Sequence, residues 1–282
     1  MNLTDVDYRV EDGVAVVTLD RPNKMNAWTA AMDASVHECM KAASADVDVR
    51  VIVLTGNGRG FCAGADMDNL LSIQAAAEDT ADGDDAGSAA AAPSEDRRID
   101  KGVPEAFGGR YTYFASVPKP VIGAINGATA GMGMAIALFT DIRLWSSEGR
   151  MSTIFAKRGL IAEWGLTWTL NKLCTPAVAA DLLFSARFVG AEEALRLGLA
   201  NAVYPKETFM DEVMTYAKNM ASNVSPRSLR VMKQQLWNDV SADLGPVMDR
   251  AVEEMQKTFG TEDFKEGVAH FIEKRPPNFT GR

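Results

Sequence analysis

Four short apolar runs rich in β-branched residues, Val14–Leu19, Val51–Thr55, Val121–Ile125 and Ile142–Trp145, alternate with stretches whose apolar residues recur at helical spacing. Runs of that length suit buried strands, and strands separated by helical crossovers predict an α/β fold with a parallel sheet. The first helix is predicted to start at Thr29 as N-cap and to run through Ala43. Its apolar face would be Met32, Val36, Cys39 and Met40. From about Pro205 the strand signal stops, and 207–223, 225–238, 243–259 and 262–273 read as successive helices, several opened by Ser, Thr or Asp. The expected organisation is therefore a core over 1–205 and a helical unit over 206–282.

At 282 residues the chain has ample length to bury a core without disulfides or a structural metal. Its three cysteines, Cys39, Cys62 and Cys174, are far apart and form no Cys-x-x-Cys pair, which speaks for a reducing, cytoplasmic setting. With 29 basic against 38 acidic residues, a net charge of -9 disfavours nucleic acid or an anionic membrane as partner. The polar N-terminus lacks a secretory pattern, and no apolar run approaches spanning length. The segment 75–102, rich in alanine and acid, is expected to be a mobile insertion, with a lid over a substrate channel as the alternative.

Two glycine clusters follow strands. Arg59-Gly60-Phe61-Cys62-Ala63-Gly64-Ala65-Asp66-Met67 comes after the 51–55 run, and Gly127-Ala128-Thr129-Ala130-Gly131-Met132-Gly133-Met134 leaves the 121–125 run and opens an apolar helix. Small residues let a ligand approach the backbone, and a helix N-terminus offers free N–H groups to developing negative charge. Facing each other, two such turns would make an oxyanion hole. Neither cluster completes Gly-x-Gly-x-x-Gly, because Phe61 and Ile136 stand where the last glycine would be, and no phosphate loop or Gly-x-Ser-x-Gly elbow is present.

Arg21-Pro22-Asn23-Lys24-Met25-Asn26-Ala27, the Phe61–Asp66 cluster, Lys119-Pro120-Val121-Ile122-Gly123-Ala124-Ile125-Asn126-Gly127, Phe264-Lys265-Glu266-Gly267 and Phe271-Ile272-Glu273-Lys274-Arg275 follow one another in the order of crotonase signatures. Over nearly its whole length the chain resembles the enoyl-CoA hydratase/isomerase family. The resemblance implies a spiral of ββα turns, a C-terminal helical trimerisation domain, and a coenzyme A thioester bound with its carbonyl oxygen between two backbone N–H groups, here Ala65 and Met132. It implies an acyl-CoA substrate, no cofactor beyond the coenzyme A moiety, and a homotrimer or dimer of trimers. Substrate contacts are expected from Lys24, Ala27, Ala63, Ala65, Asp66, Met67, Met132, Phe271 and Lys274, the last possibly supplied by a neighbouring subunit.

The catalytic acids depart from the hydratase pattern. Where that pattern places two glutamates, this chain has Ala135 and Phe155, which cannot move protons. Glu163, in Gly159-Leu160-Ile161-Ala162-Glu163-Trp164-Gly165, matches the single glutamate of peroxisomal-type Δ3,Δ2-enoyl-CoA isomerases. Flanked by apolar Ile161, Ala162 and Trp164, its carboxylate is expected to be desolvated and its pKa raised. The alternative role is a carboxylate at a helix start. Asp66 and Asp68 read as caps of the next helix or contacts for adenosine, capping being preferred. His37 and His270 read as structural, and Asp141 and Glu148 as turn-stabilising. An isomerase is favoured; a hydratase or hydrolase using Glu163, or a non-catalytic acyl-CoA binder, remains as an alternative.

Overall fold

The computed structural model describes residues 1–67, 71–72, 75 and 95–282. Asp68 and the stretch 76–94 of the expected insertion lie outside the described residues. The larger sheet has six strands in the order β1(Val6–Glu11), β2(Val14–Leu19), β3(Val51–Gly56), β5(Val121–Ile125), β7(Ile142–Ser146) and β10(Ala202–Tyr204). Apart from the β1–β2 hairpin, all its pairings are parallel. The smaller sheet runs β4(Gly60–Cys62), β6(Ala128–Ala130), β8(Arg150–Ser152) and β9(Val189–Gly190). Successive strand pairs, β3 then β4, β5 then β6, β7 then β8, each place one strand in the large sheet and the next in the small one. That repeat is the spiral of ββα turns that the resemblance implies.

The central strands are buried on both faces, which is why they read as continuous apolar runs rather than as alternating ones. Ala15, Val17, Leu19, Ile52 and Leu54 face α1(Ala30–Ala45), against Met32, Val36, Cys39 and Met40. Thr29 caps α1 as expected, its Oγ1 accepting the Met32 N–H at 3.1 Å. Val14, Val16, Val51, Val53, Ile122, Ala124 and Leu144 form the other face.

Further α-helices among the described residues are α2(Met132–Leu138), α3(Leu166–Leu173), α4(Pro176–Ser185), α5(Ala191–Arg196), α6(Phe209–Asn223), α7(Pro226–Asp239), α8(Leu244–Thr258) and α9(Glu262–Glu273). The C-terminal helices fall within a few residues of their predicted spans, but the expected division at 205/206 does not follow the packing. Phe209, Val213, Ala217 and Ala221 of α6 cover the second face of the large sheet. From α7, Lys233 reaches into the core, donating to Asp141 Oδ2 at 2.7 Å and to the carbonyls of Phe114 and Lys119 at 3.1 Å each. Met232 and Leu236 of α7 are exposed, and so are Leu244 and Met248 of α8 and Phe271 and Ile272 of α9.

The far end of the expected insertion is also fastened. Arg97 pairs with Asp33 at 2.8 Å, Ile99 N–H donates to Ser116 Oγ at 2.9 Å, and Gln234 donates to Asp100 at 2.6 Å. Arg97, Ile99 and Asp100 are thus tied to partners remote in sequence, while Glu95, Asp96, Lys101 and Gly102 are exposed. No helix among the described residues is long and apolar enough to cross a membrane.

Candidate active site

The two glycine clusters emerge from adjacent parallel strands. β4 pairs with β6, with Gly60 opposite Ala128 and Cys62 opposite Thr129, so the turns that follow lie side by side. Gly64, at φ 103°, sits against the Ala130 carbonyl, which a Cβ would meet at 3.1 Å. Gly133 lies on Cys62, whose carbonyl oxygen would be 2.3 Å from an added Cβ, so no side chain fits there. These two approaches hold the turns that carry Ala65 and Met132 against each other.

Ala65 is held by an isolated parallel bridge to Trp28. Trp28 N–H donates to Gly64 O at 2.8 Å, and Asp66 N–H donates to Trp28 O at 3.2 Å. In that pattern the flanking residues bond to Trp28 and the Ala65 N–H turns to the opposite side. Met132 is the first residue of α2, behind Gly131 at φ 53°, where N–H groups have no intrahelical acceptor. Among the described residues nothing accepts a hydrogen bond from either amide. Two unpaired donors on neighbouring turns can serve the same anionic oxygen. The Ala63 N–H, by contrast, is committed to Met25 O at 3.0 Å.

The segment 21–28 forms the wall behind the first turn. Arg21 Nη1 donates to Ala27 O at 2.5 Å and to Asp66 Oδ2 at 2.8 Å. Asp66 is only 5% exposed, and its carboxylate secures the turn through Arg21. Asn26, fully buried, donates to the carbonyls of Asn57 and Gly60 and accepts from Arg21 N–H. Lys24 is exposed at the rim and makes no ion pair with a described residue. Met67 is exposed beside Arg158.

On the other side, 155–165 runs alongside α2. Phe155 stacks near Gly131 at the N-terminal end of α2, and Gly165 lies beside Phe139 at its C-terminal end. Glu163 sits on this run, half-buried. Its carboxylate makes no hydrogen bond or ion pair with a described residue, and the cap position of α3 is taken by Gly165, so it is not a capping group. The expected apolar enclosure is absent: Ile161 is 81% exposed and Trp164 37% exposed. The backbone of this run passes through positive φ at Gly159, Trp164 and Gly165. Ala135 and Phe155 are both buried in the core and cannot hold a water for proton transfer.

Family-level comparison identifies the scaffold. The model of the enoyl-CoA hydratase/isomerase family matches residues 9–89 and 81–282. The chain belongs to this family. Its crotonase relatives carry both kinds of name: an Escherichia coli 1,2-epoxyphenylacetyl-CoA isomerase is 32% identical over 97% of both chains. A Clostridium acetobutylicum short-chain-enoyl-CoA hydratase is 30% identical over 98% of this chain and 97% of its own. A Geobacillus kaustophilus structure described as enoyl-CoA hydratase subunit I superposes with a TM-score of 0.83 at 29% identity, covering both chains fully. An acyl-CoA substrate is therefore expected for this crotonase.

Sequence reasoning missed an aromatic ladder that joins the two sides of the site. Trp28 meets Tyr111 edge-on at 6.0 Å, and Tyr111 meets Trp164 edge-on at 4.7 Å. Nothing in local spacing announces it, since the three rings come from positions far apart in the chain. Phe271 and Lys274 lie exposed on and just after α9, and no hydrogen bond or ion pair ties them to the glycine turns among the described residues. Phe271 is 80% exposed, which excludes its alternative role as a core residue within one chain. The histidines are structural as expected. His37 contacts the Arg97 carbonyl at 3.2 Å and the Tyr113 ring at 4.7 Å, its pKa lowered by burial and then by the Arg97 guanidinium. His270 Nδ1 lies 3.3 Å from the Arg275 carbonyl. Asp141 does more than hold a turn: it collects Lys233, the Val121 N–H and Trp237 Nε1.

Proposed function

We propose that the protein is an enoyl-CoA isomerase in which Glu163 is the proton carrier. The observation that carries this reading is the unpaired Glu163 carboxylate on the run beside α2, while the hydratase positions hold Ala135 and Phe155. A 3-enoyl-CoA thioester would place its carbonyl oxygen between the Ala65 and Met132 N–H groups. Glu163 takes the proton from C2, and the electron pair left behind delocalises onto the thioester oxygen as a dienolate. The same carboxyl group returns the proton at C4, giving 2-enoyl-CoA. Atoms and charge balance without a redox partner. Each well-aimed backbone donor to the enolate oxygen is worth about 3 kcal/mol, and a proton carrier contributes about 10²- to 10⁴-fold in rate.

In this reading Lys24, exposed at the rim, meets the phosphates of coenzyme A. Phe271 and Lys274 reach the ligand from a neighbouring subunit, with the bared faces of α8 and α9 buried in a trimer or a dimer of trimers. A hydratase in which Glu163 positions water is the second reading, favoured by the name of the Clostridium acetobutylicum relative.

The test is product analysis with 3-enoyl-CoA and 2-enoyl-CoA on wild type and Glu163→Gln. Isomerisation that disappears in the variant, with thioester binding retained, is the expected result. Formation of 3-hydroxyacyl-CoA from the 2-enoyl substrate would establish the hydratase instead, and an unchanged rate in the variant would remove Glu163 from the mechanism.

A further inference from the structure

Two residues after Glu163, Gly165 lines a cavity of about 320 Å³ that is walled mainly by Phe107, Phe139, Trp168 and Trp237, with Ala106 on its margin and Thr112, Asn238 and Ser241 as its polar residues. Its rings are mutually ordered. Phe107 meets Trp168 at 6.1 Å and Trp237 at 5.2 Å, both edge-on at 69°, and Phe139 stacks on Trp237 at 6.2 Å. Trp237 is pinned by its Nε1 hydrogen bond to Asp141 at 3.0 Å, and Asp141 in turn is held by Lys233. The cavity is thus preformed, which lowers the ordering cost of filling it.

Its place relative to the reacting atoms follows from α2. That helix begins at Met132 and ends against Phe139, a separation of about 10 Å at the usual rise per residue. The run 155–165 spans the same interval from Gly131 to Phe139, with Glu163 on the way. Gly165, two residues after Glu163, lines the cavity, so an acyl group anchored by its carbonyl at Met132 and passing Glu163 would next meet the ring-walled space. An apolar cavity of about 150 Å³ already holds benzene, so this one has room for a ring and part of its linker. Edge-to-face walls favour a planar ring over a flexible alkyl tail, which has to freeze several rotors to fill the same space.

We propose that the acyl group accepted by this site ends in an aromatic ring, seated between Phe107, Phe139, Trp168 and Trp237. The proposal rests on the acyl-CoA reading above and names its substrate class as ω-aryl acyl thioesters.

The experiment compares 6-phenyl-3-hexenoyl-CoA, whose extended chain places the ring centre about 10 Å from the thioester carbon, with linear 3-octenoyl-CoA. In parallel, the dissociation constants of the saturated 6-phenylhexanoyl- and octanoyl-CoA are measured by calorimetry. A preference of tenfold or more for the phenyl compounds is expected in kcat/KM and in binding. Ala106→Trp, which fills the cavity, and Trp168→Leu, which removes one wall, should each collapse that ratio. Thermal unfolding is recorded for both variants, so that whichever remains folded decides. Equal handling of phenyl and linear compounds, or a ratio unmoved by the folded variant, overturns the proposal. Selective binding without turnover of either enoyl thioester would sustain the aryl cavity while refuting the isomerase, and unselective isomerisation would do the reverse.

Discussion

The Tyr111 ring stands edge-on to Trp164, with centroids 4.7 Å apart and planes at 90°. Tyr111 also touches Trp28, whose main chain brackets Ala65, so one side chain links the backbone donor to the segment that carries Glu163. Edge-to-face pairs are worth about 0.5–1.5 kcal/mol beyond their burial. Tyr111→Leu is expected to lower kcat by about tenfold with a smaller change in KM, and Tyr111→Phe, which keeps the ring, should restore it. Equal losses in both variants would assign the effect to the hydroxyl group instead.

The Arg21–Asp66 pair fixes the first turn from behind. Asp66→Asn leaves Arg21 partly exposed and still beside Asp5 at 3.4 Å, so the expected cost is about 1–3 kcal/mol. Asp66→Asn should lower the midpoint of urea unfolding and also weaken thioester binding. A variant of wild-type stability would show that the turn does not depend on this pair.

Lys233 and Asp141 make a second test of the same physics, at a distance from the glycine turns. Lys233→Met leaves the Asp141 carboxylate buried beside Trp237 Nε1, and an expected loss of about 3–5 kcal/mol follows. The double replacement Lys233→Met with Asp141→Asn should cost less than the single one, because no unpaired charge remains. Additive losses in chemical denaturation would contradict this account.

Burial pushes the Cys62 and Cys39 thiols up to about 12 from an ordinary 9.0. The native state therefore keeps thiol protons that the unfolded chain releases. Their stabilisation is complete below pH 9 and is lost as pH rises toward 12. Lys119, pulled down to about 8 from 10.5 by burial, acts oppositely, adding stability between those two values. Comparing wild type with Cys62→Ala isolates the thiol: the variant should lose less stability than wild type on going from pH 9 to pH 11, and parallel losses would refute the assignment.

The apolar residues left exposed on α8 and α9 suit the proposed contact between copies of this chain. Light scattering at micromolar concentration is expected to give a trimer or a multiple of it, and a stable monomer would contradict that expectation.

Strand and helix positions that depend on local pattern were readable in advance: β2, β3, β5 and β7 from their unbroken apolar runs, α1 from Thr29 and its apolar face, α6 to α9 from their caps and spacing. The short strands β4, β6 and β8 were not, because three residues carry no periodicity and glycine-rich strands look like turns. For the site, the glycine clusters and Glu163 were visible as residue types in a family order. The side-by-side placement of their turns was not, since it depends on the pairing of β4 with β6.

What local chemistry dictates, the sequence by itself determined: where backbone must bend through glycine, which faces seek burial, and that no glutamate occupies positions 135 and 155. Tertiary structure decided what each charge and ring would meet. Asp66 found Arg21, Asp141 found Lys233, Arg97 drew in the end of the acidic segment, and Phe107, Phe139, Trp168 and Trp237 closed around a cavity. Such partners lie tens of residues apart, and they are selected by the requirement that buried charges be paired and buried surfaces fill space. That condition is set by the packed whole, and no short window of sequence contains it.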